Sequence, residues 1–373
     1  MTRVAYFAPL LYTGGTQRHL QQVLRHLDPR RFVAHVYTLR PGGELAAELR
    51  DAGVPVTSLD LGHRLATPQA LRGLVRAARL LRAARTDIVH GYQWRPALVG
   101  AVAGRLAGAS LVLASKRSLT GDDRQARLAW RVIAGLVDTV VANADALRCE
   151  AQAHGVRGRW AVIPSGIDVD RVRGGPRPPA AKAALGLDPR RPVVGTVGRL
   201  EERKGHGDFL LAVRAMRGLA DGLGPQGLIV GDGPLRARLE RQAADLGLGE
   251  TVHFMGAVAD VRTPLAAMDV FLLPSRAEGM SNALLEAMAA GRPVVATAVG
   301  GTREAVDAER TGILVPPGDP AALAAAVLGL LADPARAAAV GRAAQRSVEE
   351  GFSAQQMVAR LERLYAERLE AAA

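Results

Sequence analysis

A single cysteine, Cys149, stands in the chain, so no internal disulfide can form and no thiol cluster can hold a metal. A reducing compartment is the expected setting. Aromatic residues make up only 4% of the sequence, too few for the stacking platforms that grip single-stranded nucleic acids. Lysine occurs just at positions 116, 182 and 204, so nearly all the positive charge is arginine. The formal net charge of +12 still fits an acidic partner. A basic nucleic-acid-binding protein is the reading that charge alone would support, but no reader motif accompanies it. Long hydrophobic runs are missing as well. The longest, Ala321 to Ala332, is bounded by Asp319-Pro320 and Asp333-Pro334; it is too short to cross a bilayer and suits an Ala/Leu helix. The apolar run from Val4 to Tyr12 contains Pro9 and enters Gly14-Gly15 without a small-residue cleavage site, so it reads as a first strand and implies no secretion. No Asp-x-Asp is placed to hold a metal; Asp168-Val-Asp170 follows a strand but reads better as a turn.

What is present is a long alternation. At 373 residues the chain exceeds what one core usually supports, so two domains are expected. Short β-branched runs alternate with helical segments throughout, the pattern of parallel sheets with crossover helices. Strands are expected near 4–8, 33–39, 88–90, 111–114, 139–142 and 161–163 in the first half, and near 193–197, 228–230, 252–255, 270–273, 294–297 and 313–315 in the second. Between the halves, Arg171-Val-Arg-Gly-Gly-Pro-Arg-Pro-Pro179 is rich in residues that interrupt helices and central strands. The expected division is an N-terminal domain over 1–174, a linker over 175–191 and a second domain over 192–350. A last helix over 351–373, with Leu361, Leu364 and Tyr365 at helical spacing, is expected to return to the first domain. Two doubly wound α/β domains facing a central cleft put their ligand sites in the strand-to-helix loops.

Three such loops in the second half carry chemistry. After the strand 193–197 comes Gly198-Arg199-Leu-Glu-Glu-Arg-Lys204-Gly205, where glycine lets the backbone approach a ligand and Arg199 and Lys204 offer a forked and a point cation to a diphosphate. The next strand ends in Gly231-Asp-Gly-Pro234, a tight turn in which Asp232 serves as a cap. The third loop runs Pro274-Ser-Arg-Ala-Glu278-Gly-Met-Ser281-Asn282-Ala283-Leu-Leu-Glu286-Ala-Met288. A helix starting near Ser281 turns its unpaired N–H groups and positive dipole end toward the loop, a ready phosphate site. Glu278 precedes that helix and Glu286 lies more than a turn inside it, so the two do not share a face. The apolar flank of Leu284, Leu285, Ala287 and Met288 argues that the helix is mostly buried and that Glu286 is more than a solvated residue.

These motifs, with Gly14-Gly15, Phe254-Met-Gly256, Pro293-Val-Val-Ala-Thr297, Gly300-Gly301, Glu304 and Val315-Pro-Pro-Gly-Asp319, together resemble the retaining GT-B glycosyltransferases of family 4. The resemblance spans most of the chain and is densest from Gly195 to Asp319. It implies a GT-B fold and sugar transfer from a nucleotide diphosphate to a hydroxyl acceptor, without a cofactor or a metal. UDP-sugars are favoured as donors, with GDP- and ADP-sugars as alternatives. Arg199 and Lys204 would neutralise the diphosphate, Glu286 would take the ribose hydroxyls, and Glu278 would contact the transferred sugar. Ser281, Asn282 and Ala283 would offer helix N-terminal groups, and Gly14, Gly15 and Gly198 would let backbone close on the donor.

The first domain departs from the family pattern. Where members commonly carry a histidine after the strand 111–114, this chain reads Ser115-Lys116-Arg117-Ser118. That departure keeps a non-catalytic sugar-nucleotide-binding protein as an alternative. His90 is the other candidate for a catalytic contact, with a structural histidine as the equal alternative; Asn143 and Gln93 are weaker candidates. Lys116, Arg117 and Trp130 mark the expected acceptor side. Arg124, Arg127 and Arg131 beside Trp130 suggest peripheral contact with anionic lipid, at the inner face of the cell membrane, whereas Arg72, Arg76, Arg79, Arg82 and Arg85 read as a solvated face. The expected acceptor is a glycan, a lipid-linked sugar or a small hydroxyl compound, in envelope glycan, glycolipid or polysaccharide synthesis, and no nucleic acid is expected as a partner.

Overall fold

The computed structural model describes residues 1–371 except 13, 63–65, 120–122, 174, 176–177 and 220–223. The chain forms two compact units, one of residues 1–166 with 354–373, the other of residues 167–353.

In the first unit the elements run β1 (Thr2–Ala8), α1 (Gly15–His26), β2 (Phe32–Thr38), α2 (Leu45–Asp51), β3 (Val56–Ser58), α3 (Pro68–Ala83), β4 (Ile88–Tyr92), α4 (Trp94–Ala107), β5 (Leu111–Lys116), α5 (Arg124–Leu136), β6 (Thr139–Ala142), α6 (Asp145–Ala153) and β7 (Trp160–Val162). The seven strands pair in parallel in the order β3-β2-β1-β4-β5-β6-β7. Strand alternation supplies two cores. Val4, Tyr6 and Ala8 face one layer with Leu20 and Val23 of α1, whereas Ala5 and Phe7 face the other with Ala77 and Leu81 of α3 and Ala101 of α4.

The second unit continues with α7 (Val169–Arg173), α8 (Pro178–Ala184), β8 (Val193–Val197), α9 (His206–Leu219), β9 (Gln226–Val230), α10 (Arg236–Asp245), β10 (Val252–Gly256), α11 (Arg262–Ala267), β11 (Val270–Leu273), α12 (Asn282–Ala289), β12 (Val294–Thr297), α13 (Thr302–Ala305), β13 (Ile313–Val315), α14 (Pro320–Ala332) and α15 (Pro334–Gly351). Its six strands, again all parallel, are ordered β10-β9-β8-β11-β12-β13. The order reverses between β8 and β11, so the loops leaving these two strands flank the place where a doubly wound sheet binds ligands. No single described helix is long and apolar enough to cross a membrane. The Ala/Leu-rich α14 instead buries Leu323, Ala324, Val327 and Leu330 in the core of its unit.

Helix α16 (Ala354–Glu370) belongs to the first unit. Met357, Leu361, Leu364 and Tyr365 recur at the helical period and join the core beside β1 and β4. Burying each large apolar side chain stabilises by roughly 1.5–3 kcal/mol, which holds this helix against a sheet nearly the whole chain away in sequence.

Two expectations need correction. The units divide between Gly166 and Ile167, and the stretch expected as a linker over 175–191 contains a helix. Pro178 opens α8, because proline suits the first turn, where its missing N–H costs nothing. The helix is then fastened within the second unit by Lys182, whose ammonium bonds the Asp269 carboxylate at 2.8 Å and the Arg191 carbonyl at 3.0 Å. Residues 174, 176 and 177 of that stretch lie outside the described residues. The short β3 was not expected; its three residues carry too little periodicity to read.

Candidate active site

The two switch-point loops of the second unit are fastened to each other by backbone. The Arg276 amide donates to the Arg203 carbonyl at 2.8 Å. Gly205, at φ +66°, lies so close to the other loop that a Cβ there would stand 2.0 Å from the Pro274 carbonyl oxygen. Gly300, at φ +46°, does the same from the loop after β12, where a Cβ would meet the Glu278 carbonyl oxygen at 1.9 Å. Only glycine satisfies both the left-handed conformation and the contact. The Thr297 hydroxyl, at the end of β12, donates to the Ser275 carbonyl. Asp208 of α9 takes two bonds from the Arg276 guanidinium, at 3.1 and 3.2 Å.

This fastening brings Lys204 and Glu278 together. The ammonium donates to the carboxylate at 2.5 Å, and the Ser275 hydroxyl donates to the same oxygen at 2.7 Å. Arg203 approaches the other carboxylate oxygen at 3.7 Å. Glu278 is 4% exposed, and a carboxylate is kept there because these partners compensate its lost hydration. Three residues on, the Ser281 hydroxyl caps α12 by accepting the Leu284 amide at 3.4 Å. The helix directs the amides of its first turn, including those of Asn282 and Ala283, toward the loop that carries Glu278. Glu286 is half-buried about one turn along α12, between the buried Leu285 and Ala287. Arg199 is exposed, and among the described residues its ion-pair partner is the distant Glu201 at 3.9 Å. Gly198 opens the same loop, and its amide bonds the Val230 carbonyl. In the neighbouring turn, Asp232 accepts the Gly233 amide at 2.7 Å, a local cap.

His206 was not singled out in the sequence, although it directly follows Lys204-Gly205. It is buried, its Nδ1 lacks a partner, and burial followed by the nearby Lys204 charge lowers its pKa to about 4. The signal available was position alone: a histidine opening the helix after a cation loop.

In the first unit the structure separates residues that the sequence grouped. Gly14 caps α1 in an extended conformation, and no atom lies within 4 Å of a Cβ placed on Gly15. His90 is a core histidine and not a free catalytic group: Nδ1 bonds the Tyr365 hydroxyl at 2.7 Å and Nε2 the Ser115 hydroxyl at 2.8 Å. Burial, then the Arg117 charge, holds its pKa at about 3. Lys116 does not face an acceptor; it is buried, pairing with Glu150 at 2.8 Å and donating to the Ser118 carbonyl. Trp130 is buried too, against Ala97, Ala114, Ile133 and Val140. In both cases the strand or helix period turned the side chain inward, which a local composition of arginines cannot reveal.

Arg117 is only partly buried. Its guanidinium donates to the Ser165 hydroxyl at 2.9 Å, and burial lowers its pKa to about 10, so it stays charged at neutral pH. Beside it Asn143 donates to the same hydroxyl at 3.1 Å. The Asn143 carbonyl oxygen and the His19 Nδ1 have no partner, and both residues line a cavity of about 10 Å³ with His90, Ser115 and Arg117, enough for about one water. Gln93, between β4 and α4, holds φ +64°, an unusual conformation for a residue with a side chain, and its amide donates to the Thr16 hydroxyl at 3.1 Å. Among the described residues no three His, Cys, Asp or Glu side chains group as a metal set.

Both units are all-parallel and doubly wound, and the second gathers cations and a helix N-terminus at its switch point, a site suited to a phosphate-bearing ligand; comparison with known proteins gives the class. Residues 191–333 match the model of glycosyl transferases group 1, and residues 13–171 that of glycosyltransferase family 4. The chain is 35% identical over 290 residues to a GDP-mannose-dependent alpha-(1-6)-phosphatidylinositol monomannoside mannosyltransferase of Mycobacterium tuberculosis, covering 74% of each chain. It is 31% identical to a D-inositol 3-phosphate glycosyltransferase of Streptomyces avermitilis, over 90% of this chain and 79% of that one. The crystal structure of Anabaena Alr3699/HepE in complex with UDP and glucose shares the fold, with a TM-score of 0.87 at 22% identity over 98% of this chain and 100% of that one. The chain belongs to the family 4 glycosyltransferases and has the GT-B fold.

Proposed function

We propose that this protein is a retaining, metal-independent glycosyltransferase that moves a hexose from a nucleotide diphosphate to a hydroxyl of an inositol-bearing acceptor in glycolipid synthesis. The observation that carries the reading is the meeting of Lys204, Glu278 and the α12 N-terminus at the switch point of the second unit. Breaking the sugar–phosphate bond builds negative charge on the departing diphosphate. Lys204 and the first amides of α12 are fixed in advance, so they stabilise that charge without reorganising, and the exposed Arg199 is free to swing onto the diphosphate. Glu278 is held toward the transferred sugar, and Glu286 is the candidate for the ribose hydroxyls. In front-face attack the departing phosphate takes the acceptor proton, and the protein supplies orientation and charge. GDP-mannose, named for the mycobacterial relative, is favoured over the UDP-sugars preferred on sequence alone. The inositol acceptor rests on the names of both relatives, and Arg117 is the residue of the first unit left to meet an acceptor phosphate.

A cytoplasmic, peripheral enzyme fits this chemistry. The outer face of α5 exposes Leu128 and Val132, at 62% and 49%, among the exposed Arg124 and Arg131, an apolar and basic surface suited to anionic lipid. The residue that faces lipid in this reading is Leu128, and Trp130 is its core counterpart. The Leu128→Asp, Val132→Asp variant should lose sedimentation with anionic vesicles at low salt; unchanged sedimentation refutes membrane contact through α5.

The functional test is release of nucleoside diphosphate from GDP-mannose, UDP-sugars and ADP-sugars with an inositol-bearing acceptor, with and without EDTA, and the anomeric configuration of the product by NMR. Release that survives EDTA, with retained configuration and loss in Glu278→Ala, supports the reading. An inverted product, dependence on added metal, or binding without release would each overturn the part it addresses.

A further inference from the structure

At the amino-terminal ends of β8, β11 and β12, the edge of the second sheet opposite the loops described above, lies a cavity of about 540 Å³. That is within the range of small-molecule sites. Its walls are the residues just before those strands and the corner where α14 meets α15. One part is cationic. Lys182 is neutralised by Asp269 at 2.8 Å, and Arg190 by Asp188 at 3.2 Å. Arg191, Arg292 and Arg342 also line the cavity, and none has a carboxylate within ion-pair distance among the described residues.

Two of these guanidiniums are pinned in place by backbone. Arg191 donates Nε and Nη2 to the Gly224 carbonyl at 3.0 and 2.7 Å. Arg292 donates Nε to the Ala290 carbonyl at 3.2 Å and Nη1 to the Met268 carbonyl at 3.1 Å. In each, one amino group is left over, Nη1 of Arg191 and Nη2 of Arg292. Burial pulls the Arg292 pKa below its ordinary value, against the opposing charge of Asp269, which also lines the cavity and is already bonded to Lys182: a charge is being held where hydration is poor, and a bound anion would compensate it further. Side chains already immobilised lose little entropy on binding, and guanidinium forks match phosphate geometry. The other part is apolar, built from Leu330, Leu331, Pro334, Ala337 and Ala338. A bare inorganic anion would leave it wet.

We propose that this cavity is a second ligand site, separate from the switch-point loops, that binds a small phosphate-bearing molecule with an apolar substituent. The phosphate lies against Arg191, Arg292 and Arg342, and the apolar group lies against Leu331 and Ala337. A lipid phosphate and a soluble aryl or alkyl phosphate share this chemistry.

The test is calorimetric titration of the full chain with three probes: dihexanoyl phosphatidic acid below its micellar concentration, phenyl phosphate, and dihexanoyl phosphatidylcholine as the net-neutral control. Phosphatidic acid should bind one to one and at least about tenfold more tightly than phosphatidylcholine. Arg342→Glu, at an exposed position with no side-chain partner among the described residues, should weaken it by about tenfold or more, the order for losing one charge-assisted bond. Arg292→Lys, which keeps the charge and loses the fork, should weaken it as well, and Lys204→Ala should leave it unchanged. Phenyl phosphate binding as tightly as the lipid assigns the soluble ester as the natural ligand, and binding of the lipid alone assigns the lipid. Titrations of Arg342→Glu and Arg292→Lys that match wild type, or binding abolished by Lys204→Ala, overturn the proposal.

Discussion

The Lys204–Glu278 pair allows a quantitative test by a double-mutant cycle with Lys204→Met and Glu278→Gln. At 2.5 Å the gross attraction at an effective dielectric of 20 is roughly 7 kcal/mol. Much of this offsets the hydration lost by side chains that are only 13% and 4% exposed. Lys204→Met leaves the Glu278 carboxylate buried with Ser275 and a distant Arg203, so it should destabilise the protein by about 2–4 kcal/mol, somewhat under the full cost of breaking a buried pair. Glu278→Gln should cost less, about 1–2 kcal/mol, because the amide keeps the Ser275 bond and the ammonium can turn toward water. If the two act on each other, the double variant recovers about 2 kcal/mol relative to additivity. Urea unfolding of the four proteins measures this, followed through a transition assigned to the second unit. A coupling below about 0.5 kcal/mol, the size found for solvated pairs, would refute the claim that the loops hold these charges out of water.

Three further outcomes follow from named contacts. Gly205→Ala adds a Cβ 2.0 Å from the Pro274 carbonyl oxygen at φ +66°; it should cost at least about 2 kcal/mol and lower turnover by displacing Lys204, and wild-type stability and turnover would contradict the close approach. Tyr365→Phe removes the hydroxyl that serves His90 Nδ1 and should cost about 1–3 kcal/mol in thermal unfolding, the penalty of an unpaired buried group; an unchanged melting temperature would count against the contact. His90 and His206 have pKa values lowered by burial to about 3 and about 4, from an ordinary 6.5. Protons therefore bind the unfolded chain first. Their stabilisation is complete above about pH 6.5 and is lost as pH falls toward those values, by about 1.4 kcal/mol per pH unit for each histidine. Urea midpoints at pH 7 and pH 5 test this, and His206→Asn should reduce the difference; equal midpoints in wild type would refute it.

Much of the fold was legible in the sequence because the parallel sheets repeat one local signal. The runs at 139–142, 193–197, 270–273, 294–297 and 313–315 became strands with those bounds, since buried β-branched runs between turn residues have few other places to go. The loops carrying Lys204 and Glu278 could likewise be found from the glycines, cations and helix start written side by side. What a residue faces was harder. Trp130 and Lys116 sit in basic stretches that suggest a surface, yet the period of α5 and β5 turns both inward. Nothing local distinguishes them from Arg117, which stays partly exposed.

By itself the sequence determined the alternation of strand and helix, the Gly-rich loops and the chemistry they carry, because propensity, period and turn conformation act within a few residues. Only the tertiary structure decided which side chains meet. Lys204 reaches Glu278 because β8 and β11 are neighbours in the sheet, although 74 residues separate the two side chains. His90 is withdrawn from chemistry because Tyr365, 275 residues away, is carried to it by α16. The unpaired arginines of the second cavity are gathered from the starts of separate strands and from α15. Such meetings depend on strand order and on where apolar faces find cover, and those are properties of the packed chain as a whole.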